Sequence, residues 1–194
     1  MNNPTALILT TSHVMQLRPS LWGNLEALLK EQKKTLPNLY PIICVNGDCP
    51  ETIQEKYEVV LGEVNPYEDK EKRFDILVRG VNAAAAAGKM KTMITHYGTG
   101  INNKNFFKNN MSIVGSLIEN SLDFDCIFCK TKTATRLMKY KWDQTIPDHQ
   151  NNYKMFYNVV GNDIKELIMN EEHLWKFEFF SKGITIFHNG ENND

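Results

Sequence analysis

Ala6-Leu7-Ile8-Leu9-Thr10-Thr11 is followed by Leu21, Leu25, Leu28 and Leu29, and then by Tyr40-Pro41-Ile42-Ile43-Cys44-Val45. The first run is short and apolar and carries β-branched residues, so it reads as a strand. The leucines recur at helical spacing, and Glu26 stands four residues before Lys30, a pairing that supports a helix. Pro37 ends that helix at the latest. The third run reads as a second strand, and Asn46-Gly47 marks the turn after it.

The alternation continues outward. Gln54 to Leu61 reads as a helix running into a short strand, Tyr57 to Leu61, and Asn65-Pro66 marks a loop. Arg73 to Ala87 carries Leu77, Val81 and Ala84 on one helical stripe, with Gly88 as its C-cap. Ala83 to Ala87 are five consecutive alanines, which implies close packing. Thr92 to Thr95 is the third strand and runs into a loop, His96 to Gly100. Phe107, Met111, Val114 and Ile118 form another helical stripe. Asp125 to Lys130 reads as strand four, Ile164, Leu167 and Ile168 open a C-terminal helix, and Gly183 to Phe187 is a last strand. Strands alternating with helices predict an α/β fold: a three-layer, Rossmann-like, mostly parallel sheet flanked by helices. One domain spans 1–188, and 189–194 is a frayed tail. Ligands of such sheets sit beyond the carboxyl ends of the strands. The loops Thr11–Ser20, Asn46–Cys49 and His96–Asn103 are therefore the places to look.

Composition narrows the class without naming a chemistry. The chain has 194 residues, 42% hydrophobic and 23% charged, enough to bury a core without disulfides or metal. Lys plus Arg total 22 and Asp plus Glu total 23, a net charge of −1. That weighs against nucleic acid as the main partner, since a DNA-coating protein is normally basic. No stretch approaches the roughly 20 apolar residues that span a bilayer. Met1-Asn2-Asn3-Pro4 lacks the basic start of a signal peptide, so the cytoplasm is the expected compartment.

The four cysteines are Cys44, Cys49, Cys126 and Cys129. Spacings of C-x4-C and C-x2-C suit zinc in principle. Cys44, Cys126 and Cys129 lie in apolar runs, and neither pair has the Gly or Pro turn that aims both thiolates inward. They read as reduced structural cysteines.

The familiar nucleotide and hydrolase motifs are missing, G-x-x-x-x-G-K-[ST], G-x-G-x-x-G and G-x-S-x-G among them. What remains is an order of short patterns. Leu9-Thr10-Thr11 is followed by Arg18-Pro19 and a Leu-rich helix. Strand two ends Val45-Asn46-Gly47-Asp48. Arg79-Gly80-Val81-Asn82 leads to Ala86-Ala87-Gly88 and a strand, and Glu171-Glu172 precedes the last strand.

This order resembles the nucleotide-sugar glycosyltransferases of the GT-A fold, especially the large inverting family. The resemblance covers most of the chain through short, degenerate motifs. It implies a nucleoside-diphosphate sugar as donor and an acceptor it does not identify. It implies Thr11, Arg18, Asn46, Asp48, Arg79 and His96 as substrate-binding residues, and Glu171 or Glu172 as the catalytic base, with Asp148-His149 the other late acid candidate. Two departures stand out. The family's Asp-x-Asp, which holds Mn or Mg, falls at Thr95-His96-Tyr97, where no acid stands, so no metal ligand is assigned. The acid that normally precedes Asn-Gly is Val45. A transferase without metal needs other positive charge for the leaving diphosphate, and Arg18, Arg79 and Lys89 are the possible suppliers.

A second cluster is Lys130, Lys132, Arg136, Lys139 and Lys141, five cations in twelve residues, beside Tyr140 and Trp142. It suits a phosphorylated or polyanionic acceptor as well as a solvated basic face. Three functions compete: a small glycosyltransferase with or without metal, a non-catalytic relative that binds a nucleotide or a protein, and a phosphate- or nucleic-acid-handling domain using 130–141.

Overall fold

The computed structural model describes residues 5–11, 16, 18–35, 37–62, 70–97, 117–118, 121–122, 126–161, 168–169, 174–179 and 184–189. The chain opens with β1 (Thr5–Thr11), α1 (Ser20–Thr35), β2 (Leu39–Asn46), the single turn α2 (Glu51–Gln54), β3 (Glu58–Gly62), α3 (Lys70–Ala86) and β4 (Lys91–Tyr97). It continues through β5 (Leu117–Ile118), β6 (Ser121–Leu122), β7 (Cys126–Lys130), α4 (Thr131–Leu137) and α5 (Asp148–Val160). It closes with β8 (Ile168–Met169), β9 (Leu174–Phe179) and β10 (Ile184–Asn189).

The main sheet has the order β3-β2-β1-β4-β7-β10-β9-β8, and β5 pairs with β6 apart from it. β1 lies parallel between β2 and β4, and β2 lies parallel to β3. β7 is antiparallel to β4, and β10, β9 and β8 continue antiparallel. The protein is therefore α/β, parallel through its first four strands.

Alternation of side chains puts two cores on the two faces of this sheet. Leu7, Leu9, Ile43, Val45 and Met93 pack with Trp22, Leu25 and Leu29 of α1 and Ile53 of α2. Ala6, Ile8, Ile42, Cys44, Ile94, Ile127 and Cys129 pack on the other face. Their partners are Phe74, Ile76, Val81 and Ala84 of α3, Ala134 and Leu137 of α4, and Met155 and Phe156 of α5. Strands covered on both faces read as unbroken apolar runs, which is why β1 and β2 stand out in the sequence.

The α3–sheet contact is set by Gly80. A Cβ there would come within 2.5 Å of Cys44 Sγ and 2.9 Å of Ile8 Cγ2. Of the five consecutive alanines, Ala84 is fully buried while Ala85 and Ala86 are exposed, so the close approach rests on Gly80 and Ala84 and not on the whole run. Gly88 ends the helix as expected. Its φ is +67°, the Lys89 N–H donates to the Ala84 carbonyl at 3.0 Å, and the Gly88 N–H donates to the Ala85 carbonyl at 3.0 Å.

Two expected helices do not extend as read. Ile118 belongs to β5 and Ile168 to β8, both in two-residue strands, while Phe107, Met111, Val114, Ile164 and Leu167 lie outside the described residues. Of the expected frayed tail 189–194, Asn189 instead closes β10, paired with Leu174, and 190–194 lie outside the described residues.

Two glycines separate packing from propensity. Gly80→Ala forces the α3–sheet contact apart and should cost about 1–3 kcal/mol. Gly23, on α1, faces open space: a Cβ added there would meet nothing within 4 Å. Gly23→Ala should stabilise the chain by about 0.5–1 kcal/mol. Urea unfolding of both variants checks the opposite signs.

Candidate functional site

β1, β2, β3 and β4 all end on one edge, and the order β3-β2-β1-β4 makes a switch point there. From β1 the chain moves outward to β2 and β3, then returns to place β4 on the other flank of β1. The crevice at such a point is where α/β sheets bind ligands. Thr10 and Thr11 of β1 lie in register with His96 and Tyr97 of β4 at this place.

Of the residues expected to bind substrate, Thr11, Asn46, Asp48 and His96 lie on this edge, with Arg18 at the start of α1. The Thr11 hydroxyl donates to the Cys44 carbonyl at 3.2 Å, tying the end of β1 to β2 beyond their last ladder pair. Arg18 is exposed, and its carbonyl accepts from the Leu21 N–H at 3.0 Å in the opening turn of α1. The backbone of His96 is placed by β4; its side chain lies outside the described residues.

The Asn46-Gly47-Asp48 turn is held by a residue that sequence reasoning missed. Gln16 Nε2 donates to the Asp48 carbonyl at 2.8 Å, and the Asp48 N–H donates to Gln16 Oε1 at 3.2 Å. Gly47 has φ +115°, and a Cβ there would stand 3.0 Å from Gln16 Cδ. One amide side chain thus clamps the loop after β2 onto the loop after β1. A glutamine between Met15 and Leu17 carries no sequence signal for a partner 32 residues away. The clamp uses only the backbone of Asp48, so the exposed carboxylate stays open to a ligand; it has no hydrogen bond or ion pair among the described residues.

Asn46 shows a different feature. Its Oδ1 is buried and accepts no hydrogen bond among the described residues. Gly62 of β3, in register with Asn46, leaves the space that this oxygen fills; a Cβ at Gly62 would overlap it. A buried acceptor without a donor costs roughly 1–3 kcal/mol, which makes Asn46 Oδ1 a candidate contact at this edge.

Arg79 and Lys89 lie elsewhere. Arg79 Nε donates to Asp75 Oδ2 at 2.7 Å and Nη1 to the Leu61 carbonyl at 3.3 Å. It therefore covers the outer edge of β3 with its charge already paired, a common protection for an edge strand. Lys89 precedes β4 at the amino edge, with Nζ 3.9 Å above the Tyr40 ring. The seven residues of β4 separate it from the carboxyl edge by roughly 20 Å. Tyr40 in turn donates its hydroxyl proton to Glu58 at 2.5 Å, and that bond pushes the phenol pKa up. Arg18 is thus the one of these three cations at the carboxyl edge. Glu171 and Glu172 lie outside the described residues. Asp148 and His149 form the first turn of α5.

The donor set does not fit a divalent metal held as the resembled family holds it. Thr95-His96-Tyr97 offers no carboxylate at the end of β4, and among the described residues no three His, Cys, Asp or Glu side chains cluster for a metal. Cys44, Cys49 and Cys129 do not converge either. Cys44 packs on the α3 face and Cys49 against the α1 face. Cys129 shares a face with Cys44 but lies three strands across and four residues along the sheet, roughly 19 Å away.

The basic segment divides. Lys130, Lys132, Arg136, Lys139 and Lys141 are exposed. The aromatic residues beside them turn inward. Trp142 stacks on Phe74 with ring centroids 4.8 Å apart, and the Tyr140 hydroxyl donates to Asn151 Oδ1 at 2.8 Å. Both are partly buried by these contacts, which reduces the face they offer for stacking on bases. No protein-family profile matches the chain, and neither a curated protein nor a solved structure matches it. No helix among the described residues is long and apolar enough to cross a membrane.

Burial pushes the Cys44 and Cys129 thiols up to about 12, and that of half-buried Cys49 to about 11. Thiolate is the nucleophile, so none of the three suits covalent catalysis at neutral pH. Site-resolved iodoacetamide labelling at pH 8 should leave Cys44 and Cys129 unmodified until denaturant is added. Labelling of either in the folded protein at the rate of a free thiol contradicts this.

Proposed function

We propose that the chain binds a nucleoside-diphosphate sugar at the carboxyl edge of β1, β2 and β4 and transfers the sugar to an acceptor. The observation that carries this reading is the switch point at β1 and β4, with Thr11, Asn46 and Asp48 gathered beside it. The motif order of the GT-A-fold glycosyltransferases supports it independently.

In this reading the open Asp48 carboxylate accepts hydrogen bonds from hydroxyl or N–H groups of the nucleoside. Asn46 Oδ1 accepts one more, which relieves its buried, unpartnered state. Arg18 carries the positive charge that steadies the leaving diphosphate, and His96 stands at the opposite wall of the crevice. Glu171 or Glu172 removes the acceptor proton as general base. No step runs through a metal, because the residues at the end of β4 do not fit one. A second reading, nucleotide binding without transfer, is favoured by that same lack of a carboxylate pair.

Calorimetric titration with uridine, guanosine and thymidine diphosphate sugars, with and without manganese, tests the proposal. Saturable binding of at least one is expected, and no binding by any overturns both readings. Asn46→Ala should weaken the bound donor about tenfold or more, equivalent to ~1.4 kcal/mol. The melting temperature should hold or rise, since an unpartnered buried acceptor is removed. Glu171→Gln with Glu172→Gln should abolish turnover and leave donor affinity nearly unchanged. Binding without turnover across an acceptor panel selects the second reading.

A further inference from the structure

Arg136 stands in the last turn of α4 and Lys139 follows three residues later. With Asn158 of α5 they line a groove of about 320 Å³ between the two helices. Leu137, Met155 and Val159 supply its apolar lining, and the first two belong to the buried core. Neither Arg136 nor Lys139 has an ion pair among the described residues. Cations, one amide and an apolar floor therefore meet in a single concavity.

The groove is also held in shape. Its wall residue Tyr140 donates to Asn151, which is fully buried. Asn151 Oδ1 also accepts from the Asp143 N–H at 2.9 Å, and its Nδ2 donates to the Asp143 carbonyl at 2.8 Å. Asp143 in turn accepts from the Thr145 hydroxyl at 2.6 Å and the Thr145 N–H at 2.9 Å, bonds that hold its carboxyl below the usual range. A network satisfied on every member fixes a wall before any ligand arrives. The α4 C-terminus does not oppose an anion strongly. The Ala134, Arg136 and Leu137 carbonyls already accept from the Met138, Lys139 and Tyr140 N–H groups.

We propose that this groove binds a small phosphate monoester, its phosphate on Arg136 and Lys139 and its organic part on Leu137, Met155 and Val159. Two unpaired cations match a phosphate dianion better than a single carboxylate, and the guanidinium fork suits phosphate oxygens. The volume is at the low end for small-molecule sites and too small for a folded segment. Trp142 is stacked on Phe74 and the Tyr140 hydroxyl is taken by Asn151, which disfavours a nucleic-acid strand stacking on them. The proposal does not rest on the carboxyl-edge reading.

Calorimetry at low salt with phenyl phosphate, inorganic phosphate and benzoate as probes tests it. Phenyl phosphate should bind saturably and about tenfold or more tightly than the other two. The double variant Arg136→Gln/Lys139→Gln should lose about tenfold or more in affinity for phenyl phosphate. Both side chains are exposed, so its melting curve should match the parent. Asn158→Trp keeps both charges but fills the groove, and should block the same binding. Asn46→Ala should leave it unchanged. Absence of saturable phenyl phosphate binding overturns the proposal. So does equal affinity for inorganic phosphate, which means a bare anion site, and so does full affinity in the double variant or in Asn158→Trp.

Discussion

Everything else in the structure depends on the complete enclosure of β1. Ala6, Leu7, Ile8 and Leu9 are fully buried, with parallel partners on both flanks and helices over both faces. Burying Leu7, Ile8 and Leu9 contributes ~1.5–3 kcal/mol each, and backbone ladders on both sides leave no polar group of the strand without a place. Such a strand tolerates only small variation in the distance of its covering helices. Gly80 meets that demand on the α3 side, where the backbone of the helix rests against Ile8 and Cys44. On the other side Leu25 and Leu29 of α1 pack with Leu7 and Leu9. Parallel pairing on both flanks also forces the two crossovers that make the carboxyl edge a switch point. Core and candidate site are thus two results of one constraint.

The turn after β2 is tied down for a related reason. Loops after parallel strands have no sheet partner, and their backbone groups need other satisfaction. Here the Thr11 hydroxyl takes the Cys44 carbonyl, and the Gln16 amide takes both polar groups of the Asp48 backbone. Those bonds leave the Asp48 carboxylate and Asn46 Oδ1 as the groups with spare capacity. A site emerges where the fold has used the backbone and left side chains over.

Legibility in the sequence followed the strength of local signals. β1, β2, α1 and α3 were readable because apolar runs, leucine spacing, Pro37, Asn46-Gly47 and Gly88 all point the same way at short range. α4 and α5 were not. Their buried residues, Ala134, Leu137, Met155 and Phe156, sit among Thr, Lys, Asn and Tyr residues that dilute the helical stripe. Only Pro147-Asp148 and the pair Met155 and Val159 could have signalled α5. Of the candidate site, the positions Thr11, Asn46, Asp48 and His96 followed from strand ends, because in α/β sheets strand ends are where loops gather. Arg79 and Lys89 could not be sorted in advance. Their roles depend on Asp75, Leu61 and Tyr40, and which of these a cation meets is a matter of strand order and helix rotation. Gln16 was invisible for the same reason: its partner is set by tertiary register alone.

Two buried polar atoms without partners among the described residues, Asn46 Oδ1 and Trp142 Nε1, bring the same physical cost to different ends. Trp142 offsets its lone N–H with the area of its ring, stacked on Phe74 and edge-on to Tyr140 at 6.2 Å. The indole is there for packing, and an unpaired donor is the residue of that choice. Asn46 has no such compensation, since its side chain is small and its space exists only because Gly62 lacks a Cβ. A leucine at 46, close to Asn in size and shape, would fill the same space without an orphaned acceptor. Among the described residues, packing alone therefore accounts for Trp142 and does not account for the orphaned acceptor of Asn46.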